Sequence, residues 1–299
     1  MTDAPLMECV PNFSEGRRPE IIAQIRQAIE QVSGISVLDV TSDVDHNRSV
    51  ITFVGEPDAV QEAAFAAIQT AAQLIDMRQH EGQHPRLGAT DVVPFVPLRN
   101  LTLEQCADYA RQLGRRVGQD LQLPVYLYEA AATRPERRNL ADVRRGEYDV
   151  LVTTIDTPER QPDFGPAIVG TAGAVIIGAR DVLIAFNVFL KTNNVDLAKT
   201  IARDIRQRDG GLAGVKALGL LVKGQAQVSM NIVNYRLTPL HGIVEKIQQL
   251  AHQHGVEIDH SELIGLLPED VVLESAAALL KLPRLLPSQL LRPLNTALA

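Results

Sequence analysis

The stretch Val215-Lys216-Ala217-Leu218-Gly219-Leu220-Leu221-Val222-Lys223-Gly224-Gln225-Ala226-Gln227-Val228-Ser229-Met230-Asn231-Ile232-Val233 reads as two strands around a tight turn. Residues 215–222 and 226–233 flank the turn Lys223-Gly224, whose glycine suits a short hairpin, the clearest one in the chain. A strand at 182–188 precedes this hairpin. It is followed by a helix from about 195 to 208, with Leu197, Ala198, Ile201 and Ile205 at helical spacing. After the hairpin, Thr238-Pro239 opens a helix through Ile243, Ile247 and Leu250 that ends near Gly255, and a strand at 261–266 completes the set. The order is βαββαβ.

The first third repeats it. A strand at 6–12 runs into a turn, and Pro19 opens a helix with Ile21, Ile22, Ile25, Ala28, Ile29 and Val32 on one face, stopped by Ser33-Gly34. Strands at 35–40 and 49–54 are joined by the polar link 41–48, and Pro57 begins an alanine-rich helix to about Leu74. The strand at 91–97 contains Pro94 and Pro97, which predict an edge position or an early end. Two copies of one topology, each with a first strand ending in asparagine (Asn12 and Asn187), predict an α+β fold of two ferredoxin-like βαββαβ subdomains. The division falls at 1–180 and 181–299, the second part carrying a proline-broken C-terminal arm from about Lys281. Each sheet has helices on one face, so packing the two bare faces together predicts a substrate crevice between them.

Composition sets bounds on function. The 299 residues are 45% apolar with a formal net charge of −7, which argues against nucleic acid as a partner, since phosphate binding needs a basic surface. No apolar run is long enough to span a membrane, and the N-terminus lacks a basic-then-apolar signal, so a cytoplasmic protein is expected. Two cysteines, Cys9 and Cys106, provide neither a disulfide framework nor a C-x-x-C metal site.

The most site-like stretch is Met77-Arg78-Gln79-His80-Glu81-Gly82-Gln83-His84-Pro85-Arg86-Leu87-Gly88-Ala89-Thr90-Asp91. Residues 80–84 match the zinc-protease pattern H-E-x-x-H, which works only on a helix. Gly82 weakens a helix there and Pro85 pushes His84 toward extended backbone, so no metal site is expected. His84 is instead a titratable ring beside the positive charge of Arg86, which favours its neutral, proton-accepting form. Further on, Thr133 to Arg138 with Arg144 and Arg145 form a charge run, either a solvated helix face or an anchor for an anionic substrate. The run Gly170-Thr171-Ala172-Gly173-Ala174 is either a hinge between the halves or a place where backbone N–H groups approach a ligand.

Several blocks carry a resemblance. Glu8-Cys9-Val10-Pro11-Asn12-Phe13-Ser14-Glu15-Gly16, Asn47-Arg48, Thr52-Phe53-Val54-Gly55, Leu74-Ile75-Asp76-Met77, His84-Pro85-Arg86, Gly88-Ala89 and Asp91-Val92 resemble the formiminotransferase family. So do Pro124-Val125-Tyr126-Leu127-Tyr128, Pro162-Asp163-Phe164-Gly165-Pro166, Gly178-Ala179-Arg180, Leu183-Ile184-Ala185-Phe186-Asn187 and Ala226-Gln227-Val228-Ser229, and the blocks run to about residue 280. The resemblance implies transfer of a formimino group from N-formimino-L-glutamate to N5 of tetrahydrofolate, a co-substrate, in histidine degradation, by a homodimer needing no metal. It implies His84 as the catalytic histidine and leaves His80 without that role. Substrate binding is expected at Asn12, Arg48 and Arg86, with Lys191 a further carboxylate candidate. The folate-contacting segment maps onto Gly165, Pro166, Ala167, Ile168, Thr171, Ala172 and Gly173, where this chain is one residue shorter than the animal form and lacks its aromatic residues. Formyl transfer between folate and glutamate, or folate binding without catalysis, are the alternatives.

Overall fold

The computed structural model describes residues 4–82 and 85–291. The chain divides into two compact units, Met1–Asp181 and Val182–Ala299.

In the first unit, β1 (Leu6–Cys9) and β2 (Asn12–Phe13) are one strand path interrupted at Val10-Pro11. Helix α1 (Pro19–Glu30) has proline at its start and buries Ile21, Ile22, Ile25 and Ile29, the stripe its sequence spacing dictates. Strands β3 (Ser36–Asp43) and β4 (Arg48–Gly55) pair antiparallel. They run longer than the apolar residues alone predict, so the link shrinks to 44–47 and closes at Asn47 with φ of 47°. Then come α2 (Pro57–Leu74), β5 (Thr90–Arg99), α3 (Leu103–Asp120) and β6 (Val125–Glu129). Short α4 (Leu140–Val143), α5 (Glu147–Thr154) and the strand β7 (Val175–Ala179) complete the unit. Helix α3 starts in a capping box between Thr102 and Gln105.

The β1–β2 path lies between β4 and β5, with β3 outside β4, all antiparallel; β7 then joins β5 in parallel and β6 joins β7. β5 is therefore a central strand, contrary to the edge position its prolines predict. Proline lacks a ladder N–H. The sheet accommodates this because the neighbouring path is itself broken opposite Pro94, whose carbonyl accepts from Val10 N at 3.4 Å. Pro97 lies beyond the β7 pairing, which covers only Val92 to Phe95.

One face of this sheet packs on the helices around Phe13, Phe53, Ile68, Phe95 and Leu113. The other face is partly covered within the same unit: Leu87, Val92, Tyr126, Tyr128 and Ile176 form a second buried cluster with Val143, Leu151 and Ile155. Arg48, Val50 and Val54 of β4 stay partly exposed.

The second unit runs β8 (Ile184–Leu190), α6 (Val195–Ile205), β9 (Val215–Val222), β10 (Gln225–Ile232), α7 (Leu240–Gln253) and β11 (Ile258–Ile264). Its strand order is β11-β8-β10-β9, antiparallel throughout. Lys223 and Gly224 both have positive φ, 48° and 82°, as a two-residue hairpin turn of this hand requires. A last helix, α8 (Glu269–Leu279), is not legible in the sequence reading. The arm after it contains a single 3₁₀ turn at Pro287–Gln289, and residues 292–299 lie outside the described part. No helix among the described residues is long and apolar enough to cross a membrane.

Candidate functional site

Three loops meet at one end of the first unit's sheet, and Asn47 ties them together. Its Oδ1 accepts from Gly16 N at 2.9 Å, and its Nδ2 donates to Glu81 O at 3.0 Å. Its own carbonyl lies 3.0 Å from His80 Nε2. Gly82 fits against this loop with no room for a side chain, since a Cβ there would stand 2.4 Å from His46 O. His84 and Gln83 lie outside the described residues; the chain on either side of them is firmly held.

On the far side, Arg86 is nearly buried and donates from Nε to His80 Nδ1 (3.1 Å), from Nη2 to His80 O (3.2 Å) and from Nη1 to Glu147 Oε2 (2.7 Å). Its carbonyl accepts from Tyr148 N at 2.9 Å. The positive charge that the sequence places next to His84 is thus compensated by Glu147, and three of the five guanidinium N–H groups are committed.

An arginine Nε can only donate, so His80 Nδ1 must accept, and the ring carries its proton on Nε2, donated to Asn47 O. Burial, then Arg86 and Arg17, hold the His80 imidazole below its ordinary value of 6.5, against the Asn47 hydrogen bond and Glu15. Both ring nitrogens are occupied, and the backbone at His80, Glu81, Gly82, Pro85 and Arg86 is not helical, so the H-E-x-x-H match has no zinc-protease geometry. A depressed folded-state pKa means that the unfolded chain takes up the proton first. Stability from neutral His80 is therefore full above pH 6.5 and is lost as pH falls through the folded-state value. Denaturation midpoints measured from pH 8 to pH 5 are expected to fall less steeply in His80→Asn, whose Oδ1 can still accept from Arg86 but does not titrate; equal slopes would refute the assignment.

The segment 170–174 is no hinge. Met77 N donates to Thr171 O (2.7 Å), Ala89 N to Ala172 O (2.8 Å) and Ala174 N to Leu87 O (3.0 Å), with Gly88 and Gly173 bridged. Gly173 has φ of 71° and its Cα faces Leu87 O so closely that a Cβ would sit 2.3 Å away. Ala172 and Gly173 therefore serve as backbone that holds the Leu87–Ala89 stretch in place. The longer stretch from Gly165 to Thr171 borders two cavities. Gly170 and Thr171 line one of about 540 Å³ with Met77, Arg78, His80 and Tyr148. Gly165 and Pro166 line another of about 340 Å³ with Gly118, Gln122 and Phe164. Ala167 is half-buried in contact with the second cluster, and Ile168 is exposed.

Asn12 sits in β2 between Val50 and Val92, its Nδ2 donating to Val10 O at 3.1 Å. Arg48 begins β4, half-buried, and makes no salt bridge to any described residue. Burial, then Arg144, push its guanidinium down, with Asp91 and Asp43 acting against them. Lys191 belongs to the second unit and is an exposed partner of Glu257 at 2.8 Å. The charge run is not a solvated face throughout: Arg137 and Asp163 pair at 2.5 Å with both side chains almost wholly buried, and Arg144 pairs with buried Asp91. Glu147 and Tyr148 are site neighbours that the sequence does not mark, whereas Arg144 is visible there as part of the charge run and Asp91 as the end of the histidine stretch.

A sequence model of the formiminotransferase domain, N-terminal subdomain, matches residues 6–180, and the formiminotransferase domain model matches residues 185–286. The chain is 49% identical over 281 residues to a glutamate formimidoyltransferase of Thermoplasma acidophilum, covering 93% of each. It is 42% identical to the glutamate formimidoyltransferase of Streptococcus pyogenes, covering 91% of this chain and 92% of that one. It is 43% identical to the formimidoyltransferase-cyclodeaminase of Rattus norvegicus, covering 91% of this chain and 52% of the longer protein. With both halves matched and near-complete alignment to these transferases, the chain belongs to the formiminotransferase family.

Proposed function

We infer that this protein is a one-carbon group transferase that moves the formimino group of N-formimino-L-glutamate to N5 of tetrahydrofolate, yielding L-glutamate and 5-formimidoyltetrahydrofolate in histidine breakdown. The observation that carries it is 49% identity along 93% of a glutamate formimidoyltransferase. Attack of N5 on the amidine carbon forms a tetrahedral centre. Glutamate leaves once its nitrogen gains a proton, and the N5 proton must go somewhere. His84 is proposed to take that proton and return it to the leaving nitrogen. The Asn47 contact to Glu81 and the Arg86 contact to His80 hold the described residues that flank it in sequence.

Arg48 is proposed to hold a substrate carboxylate, with Asn12 beside it and the two remaining Arg86 N–H groups nearby in sequence to the catalytic ring. What favours Arg48 is a half-buried guanidinium without an ion-pair partner among the described residues. Arg48→Met is expected to raise KM for one substrate by roughly tenfold or more, with a smaller effect on kcat. Initial rates at varied concentrations of each substrate check this; unchanged KM values for both would remove Arg48 from the site. Gly165, Pro166, Ala167, Ile168, Thr171, Ala172 and Gly173 are proposed as the folate segment, the first two and Thr171 bordering cavities.

The second unit's order β11-β8-β10-β9 has the same fourth-first-third-second arrangement as β5, the β1–β2 path, β4 and β3 in the first unit, whose sheet β7 and β6 extend; this supports reading each unit as built on a ferredoxin-like core. A cytoplasmic homodimer without nucleic-acid or membrane partners completes the reading. Its supports are the net charge of −7, the two unpaired cysteines and the exposed Leu218, Leu220 and Leu221 of edge strand β9. Light scattering tests the dimer. For the activity, protein is mixed with N-formimino-L-glutamate and tetrahydrofolate, then acidified to convert product to the absorbing methenyl form. No absorbance above the protein-free control, with folate still bound, would overturn the transferase reading and direct attention to N-formylglutamate.

A further inference from the structure

We propose that Arg144 is the second cation of a carboxylate subsite that it forms with Arg48, and that Asp91 is the residue that positions it. This rests on the reading of Arg48 above and extends it to the partner group and its ligand chemistry.

Arg144 follows α4, and its side chain is 15% exposed. Its Nη2 donates to Asp91 Oδ2, while Asp91 Oδ1 accepts from Leu87 N at 2.9 Å. Asp91 thus fixes both the guanidinium and the start of the strand that follows the histidine loop. Arg144 Nε is buried and has no hydrogen-bond partner among the described residues. Ser49, next to Arg48, pairs with Phe13, and Phe13 pairs with Thr90, next to Asp91, so Arg48 stands two strands from that carboxylate at a neighbouring register position, within electrostatic reach of it and of Arg144. Arg144 pairs with the one buried carboxylate, Arg48 has no ion pair of its own among the described residues, and Asp43 contributes only from its exposed position across the β3–β4 turn. The cluster keeps one uncompensated positive charge and one unsatisfied N–H.

Buried charge without a counter-ion and a buried donor without an acceptor are each unfavourable. One carboxylate group answers both, taking the Arg144 Nε–H on one oxygen and Arg48 on the other. Both substrates end in a glutamyl group, so the shared ligand chemistry is a glutamyl carboxylate. Which substrate supplies it is decided by the kinetic arms of the test.

Arg144→Lys keeps a positive charge facing Asp91 but replaces the planar five-donor guanidinium with a shorter ammonium that has no counterpart of the Nε–H. In the purified full chain it is expected to raise KM about tenfold for one substrate and leave the other unchanged, with kcat little altered. A rise for N-formimino-L-glutamate places the donor on the subsite; a rise for tetrahydrofolate monoglutamate places the folate tail there. Arg145→Lys, whose partner is exposed Asp142, serves as the control and is expected to match wild type. The double variant Arg144→Met/Asp91→Asn removes the buried charges together and is expected to show the same KM rise.

Calorimetric titration with L-glutamate and with tetrahydrofolate provides a readout independent of turnover. Weakened binding of one probe in Arg144→Lys supports the subsite even if the transferase reading fails. Wild-type KM values and wild-type affinity for both probes in Arg144→Lys would overturn the subsite and leave the transferase reading standing.

Discussion

Replacing His84 with alanine is expected to lower kcat by about 10²- to 10⁴-fold, the usual range for loss of a positioned general acid–base. Substrate KM values are expected to change little, because carboxylate and folate contacts are assigned to other residues. The comparison that gives this result meaning is His80→Ala. His80 is four residues away and carries the same imidazole, but both its ring nitrogens are engaged by Arg86 and Asn47. Its loss is expected to act through the placement of Arg86, reducing activity less and leaving the pH dependence of the chemical step in place. Single-turnover formation of 5-formimidoyltetrahydrofolate in both variants separates the two roles. Turnover at the wild-type rate in His84→Ala would end the assignment, and an equal loss in both would make the loop as a whole the unit of function.

The helical periods and the second hairpin are legible because they are local. Ile21, Ile22, Ile25 and Ile29 mark one face of α1 whatever surrounds it, and Lys223-Gly224 encodes its own positive φ values. The errors arise where distant residues decide. Pro94 predicts an edge strand only if its neighbour is continuous, and the break at Val10-Pro11 that admits it lies more than eighty residues earlier. A run of arginines cannot announce that Arg137 meets Asp163, 26 residues on, or that Arg144 meets Asp91, 53 residues back. The same holds for the histidine loop. Gly82 and Pro85 already argue against a metal site there, but nothing in the sequence announces that His80 is fixed by the carbonyl of Asn47, 33 residues away. The glycines at 170–173 suggest a hinge from composition alone, but only the backbone pairing to Leu87–Ala89 reveals a rigid support.

Removing the carboxylate of Asp163 is expected to be the most destabilising single change in the first unit. Its Oδ2 accepts from Leu127 N at 2.8 Å and from Arg137 Nη1 at 2.5 Å, and its Oδ1 accepts from Thr133 Oγ1. Arg137 is 4% exposed, lies 4.9 Å above the Tyr126 ring and also donates to Gln161 O at 2.5 Å. Asp163→Ala leaves a buried guanidinium without its counter-ion and a strand N–H without its acceptor. The first of these dominates, since breaking a buried pair from one side costs about 3–5 kcal/mol. At roughly 2–4 °C per kcal/mol for a unit of this size, the melting temperature should fall by about 6–20 °C. The exposed pair of Arg145 and Asp142 is the contrast: Asp142→Ala is expected to cost less than about 1 kcal/mol. The double variant Asp163→Ala/Arg137→Met removes the stranded charge and should recover part of the loss, which distinguishes uncompensated charge from simple loss of packing. Asp163 also anchors Phe164 and Gly165, so the partly recovered double variant is expected to bind tetrahydrofolate more weakly than wild type. A single variant that melts at the wild-type temperature would show that the buried pair contributes nothing to holding this segment in place.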